Sequence, residues 1–262
     1  MKYLKPLAML ALSATLAACA TMDTNQPKTA VVIGGGQSGA PLARILKEQG
    51  YDVRVMVRDP SRVKGLPDGV QVVAGDATDS ASLVAGLAGA DYVLSTIGAN
   101  CVPQQPFPEG GSPADVDYRG IEKLAAASKA AGVRQFVLMS ALGAGDADPK
   151  TMLNSMCGMV LEWKGRGEAS LRASGLPYTI VRPGGLKPFP GQPECFEGKE
   201  PLALYGLKDP RGPGALCRAD VGMVMANALG NPDALGKTVN LVADKALPLD
   251  AWRTAWTAIP RD

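Results

Sequence analysis

Along this chain the spacing of apolar positions switches between an alternating and a helical period, and each switch predicts an element. Thr29–Ile33 is a short β-branched run leading into Gly34-Gly35-Gly36-Gln37-Ser38-Gly39. Leu42, Ile45 and Leu46 then share one helical face, and Gly50 closes that helix. Tyr51–Val57 predicts a second strand and Val70–Val73 a third. A helix around Ala81–Leu87 leads to a fourth strand, Asp91–Thr96, and residues 99–113, rich in Pro and Gly, predict a loop. A helix over 114–131 precedes a fifth strand, Gln135–Ser140, and one long helix over 150–174 precedes a sixth, Tyr178–Val181. Beyond Pro183 the chain reads as loop to residue 217. A helix (Ala219–Leu229), a strand (Thr238–Val242) and a last helix follow.

Repeated β-α-β units predict an α/β fold: a Rossmann-type, doubly wound parallel sheet in three layers, with right-handed crossovers and a small C-terminal cap. Ligands of such sheets lie beyond the carboxyl ends of the strands. Here those ends are Gly34–Gly39, Arg58, Asp76, Gly98, Ser140 and Pro183–Leu186. No composition break divides residues 29–262, which read as one domain.

Composition narrows the picture. With 262 residues, 46% of them hydrophobic, the chain suffices for one α/β core and is short for two. No stretch reaches the roughly 18 uninterrupted apolar residues of a spanning helix. The first residues stand apart. Lys2 and Lys5 precede an apolar run from Leu7 to Ala18, which ends in Leu16-Ala17-Ala18-Cys19. That ending resembles the bacterial lipobox. The resemblance implies a signal peptide over 1–18, a membrane anchor through lipidated Cys19, a tether over 19–28, and a place in the bacterial envelope, at the outer membrane because Ala20 follows the cysteine. An ordinary signal peptide with a chance cysteine, or a buried N-terminal helix, fits the same residues.

Without Lys2 and Lys5 the basic and acidic residues balance at 25 each, so no basic footprint for nucleic acid is expected. Cys101, Cys157, Cys195 and Cys217 allow three disulfide pairings or none. There is no histidine, which removes Ser-His-Asp and Cys-His nucleophiles and His-ligated metals.

What remains is the glycine turn. A G-x-G-x-x-G run that follows a strand and opens an amphipathic helix is a dinucleotide-binding context. Gly34 permits the tight turn, Gly36 lets the backbone approach a pyrophosphate, and Gly39 lets helix and strand pack closely. Gln37 and Ser38 complete the turn, and the helix start offers free N–H groups to phosphate. At the end of the second strand an NAD site usually carries an acid for the ribose. This chain has Arg58 there, with Arg54 and Arg62 nearby, which favours NADP over NAD through charge-assisted bonds to a 2′-phosphate. Asp59 argues the other way.

The segments VVIGGGQSGAPLARILKEQGYDVRVMVRDPSRV, VVAGDATD, DYVLSTIGA, DYRGIEKLAAASKAAGVRQFVLMSALGAG and SGLPYTIVRPGGL occur in an order that resembles the atypical short-chain dehydrogenase/reductases, in their NAD(P)H-binding, NmrA-like branch. The resemblance spans residues 29–245. It implies Asp76 and Ala77 beside the adenine, Ser95, Thr96 and Gly98 under the nicotinamide half, Ser140 next to the nicotinamide, and Pro183 to Leu186 on the side of a small-molecule acceptor. The loop 99–113 and the segment 187–217 would complete the acceptor pocket. The chain also departs from the wider superfamily. No tyrosine has a lysine four residues on; Lys164 stands at the lysine position with Val160 where the tyrosine would be. Lys164 and Ser140 are thus the candidate catalytic residues, and a solvated lysine and a strand-end hydroxyl are the plain structural alternatives. An acceptor of the quinone or flavin kind, protonated from solvent, suits a site without the phenol.

An exported protein and a nucleotide that does not cross membranes unaided conflict. Either the leader is misread, the cofactor arrives by another route, or the fold persists without catalysis. Two readings follow: an NAD(P)H-binding oxidoreductase, or a non-catalytic envelope lipoprotein that uses the scaffold for binding.

Overall fold

Each strand of the central sheet forms where apolar side chains can be buried on both faces, and each helix covers one of those faces. The computed structural model describes residues 28–102, 105–187, 195, 200–208 and 214–262. The leader, with Cys19, and most of the segment between 187 and 200 lie outside the described residues.

In chain order the elements are β1 (Thr29–Ile33), α1 (Gly39–Glu48), β2 (Asp52–Val57), β3 (Gln71–Ala74), α2 (Ser80–Leu87), β4 (Tyr92–Ser95), α3 (Ile121–Ala130), β5 (Gln135–Met139), α4 (Met152–Met156), α5 (Val160–Ala173), β6 (Tyr178–Pro183), β7 (Gly185–Lys187), β8 (Leu202–Gly206), β9 (Ala215–Cys217), α6 (Arg218–Asn227), β10 (Lys237–Ala243) and α7 (Trp252–Ala255). The main sheet runs β3-β2-β1-β4-β5-β6-β10-β8. All its neighbours are parallel except β8, which lies antiparallel on β10. The strand order reverses between β1 and β4, the crevice in which doubly wound sheets bind ligands. The fold is Rossmann-like.

Alternation along β1 shows how the layers are made. Ala30 and Val32 join a core with Leu42 and Leu46 of α1, Val221 and Met225 of α6, and Trp252 and Trp256. Val31 and Ile33 point to the other face, among Leu83, Leu124, Phe136 and Leu171. The predicted β1, β2, β3, α2, β4 and β5 are present to within a residue at each end, and α1 buries the predicted Leu42, Ile45 and Leu46 and ends just before Gly50.

Three expectations are corrected. The long helix over 150–174 is two helices. Gly158 and Met159 are both left-handed, with φ of 60° and 63°, and reset the axis before α5. The reset is held by buried Asn154, whose Nδ2 donates to the carbonyls of Asp146 and Asp148 and whose Oδ1 accepts from Leu161 N–H. Second, the stretch from 183 to 217 is not all loop. It contributes β8 to the sheet and a small parallel ladder of β7 with β9. The first four residues of β8, Leu202, Ala203, Leu204 and Tyr205, are all buried, so no alternation marked it. Third, the helix predicted from 114 begins as a π-helical stretch, Ala114–Gly120, before it becomes α3. Disulfides pair Cys101 with Cys157 and Cys195 with Cys217. No helix among the described residues is long and apolar enough to cross a membrane.

Candidate active site

The turn between β1 and α1 depends on side chains that are missing. Gly34 has φ 100°, which only glycine adopts without strain, and its N–H donates to the Met56 carbonyl at 2.9 Å. A Cβ on Gly39 would lie 1.7 Å from the Gly34 oxygen, so any side chain there would push α1 off the turn. A Cβ on Gly36 would meet nothing within 4 Å, because this glycine faces open space. Thr96 fixes the turn from below: its hydroxyl donates to the carbonyls of Ile33 (3.1 Å) and Gly34 (3.3 Å). Ser38 is the N-cap of α1 but makes no side-chain capping bond, and the first turn of α1 carries no acidic residue. Ala40 N–H donates to the Gly36 carbonyl at 3.0 Å and Pro41 has no N–H, so in the first turn it is the Gly39 N–H that is left for an external anion.

A groove of about 350 Å³ opens over this turn, lined among others by Gly34, Gly36, Arg58, Asp76, Ala77, Thr96 and Gly98. Of the other residues singled out in the sequence, Gln37 is exposed beside the turn and Ser38 half-buried. Ser95 is fully buried beneath the groove, and Pro183 is buried within the sheet, where its carbonyl accepts from Leu142 N–H. Neither lines the groove. The three arginines named near β2 also separate, Arg62 standing in the short turn Pro60–Arg62 and outside the groove lining. Arg54 donates to the carbonyls of Gly86 and Ala88 at the end of α2, well away from the groove. Arg58 is exposed on the groove wall and has no carboxylate partner among the described residues. Asp59 is already engaged: its Oδ1 accepts from both the N–H and the hydroxyl of Ser61. The Ser61 hydroxyl, outweighing the effect of burial, holds the Asp59 carboxyl below its ordinary range. Asp76 likewise spends Oδ1 on the N–H and hydroxyl of Thr78, closing its own turn.

Past Gly98 lies a second, polar centre. Lys164, from α5, is ion-paired with Asp117 at 2.6 Å. Asp117 is only 3% exposed, and its other oxygen accepts from Ala99 N–H at 2.9 Å. The π-helical stretch turns Asp117 inward; π turns of this kind are frequent at functional sites. Gly167 gives it room, since a Cβ there would lie 2.1 Å from the Asp117 carbonyl. Ser140, just past β5, is buried, and its hydroxyl has no partner among the described residues. Ser140, Lys164 and Asp117 line one small cavity with Ile97. Val160 lies one helical turn before Lys164, so no phenol stands at that position. Asp117 was passed over in the sequence. Its signal was a charge on an apolar stripe, because positions 117, 121, 124 and 128 are all buried.

These features fit a dinucleotide. The cradle at Gly36 is clear, the Gly39 N–H opens the helix beside it, and Arg58 has no carboxylate partner among the described residues at the strand end where a nucleotide ribose would lie. A family model described as NAD(P)H-binding matches residues 34–232. The chloroplast protein At2g37660 of Arabidopsis thaliana is 32% identical over 250 residues, 88% of this chain and 73% of its own. Sanguinarine reductase of Eschscholzia californica is 28% identical over 84% of this chain and 91% of its own. An NAD(P)H azoreductase of Xenophilus azovorans is 31% identical over 59% of this chain and 47% of its own. The TIC 62 chloroplast proteins of pea and rice are 29% and 30% identical, and the chain spans 47% and 51% of their lengths. Among solved structures, a putative NAD-dependent epimerase/dehydratase from Bacillus halodurans superposes with a TM-score of 0.70 at 22% identity, over 85% of this chain and 96% of that one. A short-chain dehydrogenase/reductase from Veillonella parvula in complex with NADP superposes at 0.63 and 17% identity, over 83% and 95%.

The relatives also correct the expected placement in a bacterial envelope. At2g37660 and the TIC 62 proteins are chloroplast proteins, so these relatives do not share the expected envelope location.

Proposed function

The chain belongs to the NAD(P)H-binding family, and from that premise we propose that it is a reductase that uses NADPH to reduce a conjugated organic acceptor. The observation that carries this reading is the layout of the groove. A phosphate cradle at Gly34–Gly39 leads past Gly98 to Lys164 and Ser140, with Val160 where a phenol would be needed for simple carbonyls. When bound, the dihydronicotinamide supplies hydride, and the remaining tasks fall to side chains and backbone of this protein. Gly36 and the Gly39 N–H at the start of α1 hold the pyrophosphate. Arg58 takes the 2′-phosphate through charge-assisted bonds. Asp76 and Ala77 flank the adenine, and Lys164 reaches ribose hydroxyls. The acceptor is a small molecule, and the balanced surface charge speaks against nucleic acid.

The names of two relatives, sanguinarine reductase and NAD(P)H azoreductase, support reduction as the chemistry. The test is NADPH oxidation by the full chain across ketones, quinones and azo dyes. Quinones and azo dyes are expected to turn over and plain ketones to remain. Fast turnover of a ketone would show that the acid has been misplaced. The second reading, a scaffold that binds without reacting, is favoured by Val160 alone; it predicts nucleotide binding with no turnover of any acceptor.

A further inference from the structure

The small cavity at the end of the groove has three features that the fold does not need. Its volume of about 10 Å³ is on the order of a single water molecule. The Ser140 hydroxyl is buried with no partner among the described residues, a cost that native structures normally avoid. The Asp117 carboxylate is almost fully buried, and its pairing with Lys164 removes two charges from water, which rarely stabilises a fold on balance. A water between these groups would satisfy the serine and give the ion pair a further bond. The location is equally specific. Ile97 lines both this cavity and the nucleotide groove. A Cβ on Gly98, in the groove wall, would lie 3.2 Å from Asp117 Oδ1 and 3.4 Å from Lys164 Nζ. Glycine at 98 thus leaves the ion pair in reach of whatever occupies the groove's end.

We propose that Ser140, Lys164 and Asp117 hold one water in this cavity, and that this water, a weaker acid than the missing phenol and so insufficient for a plain ketone, delivers the proton to a conjugated acceptor. The inference rests on the reductase reading above. The step balances as follows. The acceptor takes a hydride, hence two electrons and one hydrogen, and the atom left negative takes a proton from the water as its O–H bond breaks. The water regains a proton from the Lys164 ammonium, and the lysine regains one from solvent. Asp117 is a positioning residue. It remains a carboxylate throughout, anchored by Ala99 N–H, and keeps the lysine pointed at the water.

Two probe acceptors separate the parts of this scheme. Reduction of 1,4-naphthoquinone leaves a delocalised anion that solvent can protonate, whereas an azo dye such as methyl red needs its proton as the hydride arrives. A positioned acid contributes roughly 10²-fold or more. Ser140→Ala is therefore expected to lower kcat for the azo dye about 100-fold and for the quinone about threefold, with the Kd for NADPH changed by less than about twofold. Asp117→Asn is expected to lower kcat for the azo dye by a similar factor, and to raise the solvent deuterium isotope effect on azo reduction. Ser140→Ala removes a hydroxyl that nothing in the fold uses, so it remains informative if Asp117→Asn fails to fold. A crystal structure of the ligand-free protein at high resolution should show an ordered water within hydrogen-bond distance of Ser140 Oγ and Lys164 Nζ. Equal losses with both acceptors, or a cavity without water, would overturn the proposal while leaving the reductase reading intact. If the unaltered protein oxidises NADPH with neither probe, the reductase reading falls and the proton path falls with it.

Discussion

At the nucleotide end of the groove the geometry is written in backbone: Gly34, Gly36 and Gly39 shape a turn in which side chains are excluded, and Thr96 fastens it through two carbonyls. At the acceptor end the backbone is irregular, and side chains impose the shape. Asn154 ties α4 to α5 around two left-handed residues, Cys101–Cys157 joins the loop after β4 to that same break, and Asp117–Lys164 bridges the π-helical stretch and α5. A backbone cradle of this kind suits one invariant ligand portion, the pyrophosphate. A wall of cross-linked side chains can be altered piece by piece without loss of the cradle. The two ends should therefore fail differently when cut.

The largest effect is expected from Gly36→Val. The new side chain enters open space, so folding should be untouched, with Tm within about 2 °C of the unaltered protein. Pyrophosphate would be excluded, and nucleotide binding should be lost altogether in titration calorimetry. Gly39→Ala should do the reverse, because its methyl would overlap the Gly34 carbonyl; overpacking of this sort costs about 1–3 kcal/mol or more. If both variants lose stability equally, the division between cradle and scaffold is wrong.

On the other side, Glu168 is fully buried on α5 and accepts from Arg182 through both oxygens, at 2.8 and 2.6 Å, and from Arg172 at 3.0 Å. Removing one partner of a buried pair strands the others, at about 3–5 kcal/mol. Glu168→Ala should lower the urea midpoint accordingly while changing the Kd for NADPH by less than about threefold. A loss of nucleotide affinity without loss of stability would mean that α5 serves the cradle after all.

The sharpest test within the cradle is Arg58→Ala. Loss of a charge-assisted contact costs about 1.5–3 kcal/mol, so the preference for NADPH over NADH should fall by about 10- to 150-fold. Calorimetry with both nucleotides decides it, and equal affinities before mutation would remove Arg58 from the site.

The same contrast explains what could be read in advance. The turn is local: a strand, six residues and a helix, each with its own periodicity, so its position, the tight turn at Gly34 and the close packing at Gly39 were legible. The place of Arg58 at the strand's carboxyl end was legible as well, but Arg54, on the same face, lies four residues or about 13 Å back along the strand and reaches the carbonyls ending α2 instead. The acceptor end rests on contacts between residues far apart in sequence. Asp117 meets Lys164 across 47 residues, and Cys101 meets Cys157 across 56. Neither pairing has a local pattern. A helical period continues smoothly through Gly158 and Met159, so the break there is imposed by Asn154 and could not be seen in hydrophobicity. β8 was hidden because a strand buried on both faces has no alternation to find.

The smallest effect should come from the far side of the sheet, where Asp262 joins α5, β6 and β10. Its carboxylate accepts from Arg172 Nε at 2.9 Å, from the Tyr178 hydroxyl at 3.0 Å and from Thr238 N–H at 3.0 Å. Burial pushes this carboxyl up, but the bonds from Thr238 and Arg172 outweigh it and hold the carboxyl below its ordinary value of 3.8. Burial and the Asp262 charge push the Tyr178 phenol up to about 12. The signs follow from proton linkage. For Asp262 the unfolded chain binds the proton first on acidification, so its contribution is complete above the unfolded value and is lost as pH falls through the lower folded one. For Tyr178 the unfolded chain releases its proton first, so stability falls as pH rises from 10 toward about 12. Asp262→Asn should therefore cost about 1 kcal/mol at neutral pH, the order of one net hydrogen bond at a partly solvated site. It should also flatten the acid limb of a plot of unfolding free energy against pH. Nucleotide affinity should not move, since the cluster is remote from the groove. An acid limb unchanged by Asp262→Asn would mean that this carboxylate carries no linkage and that α5 is held to the sheet through its other contacts, Glu168 with Arg182 and Arg172 with Thr238.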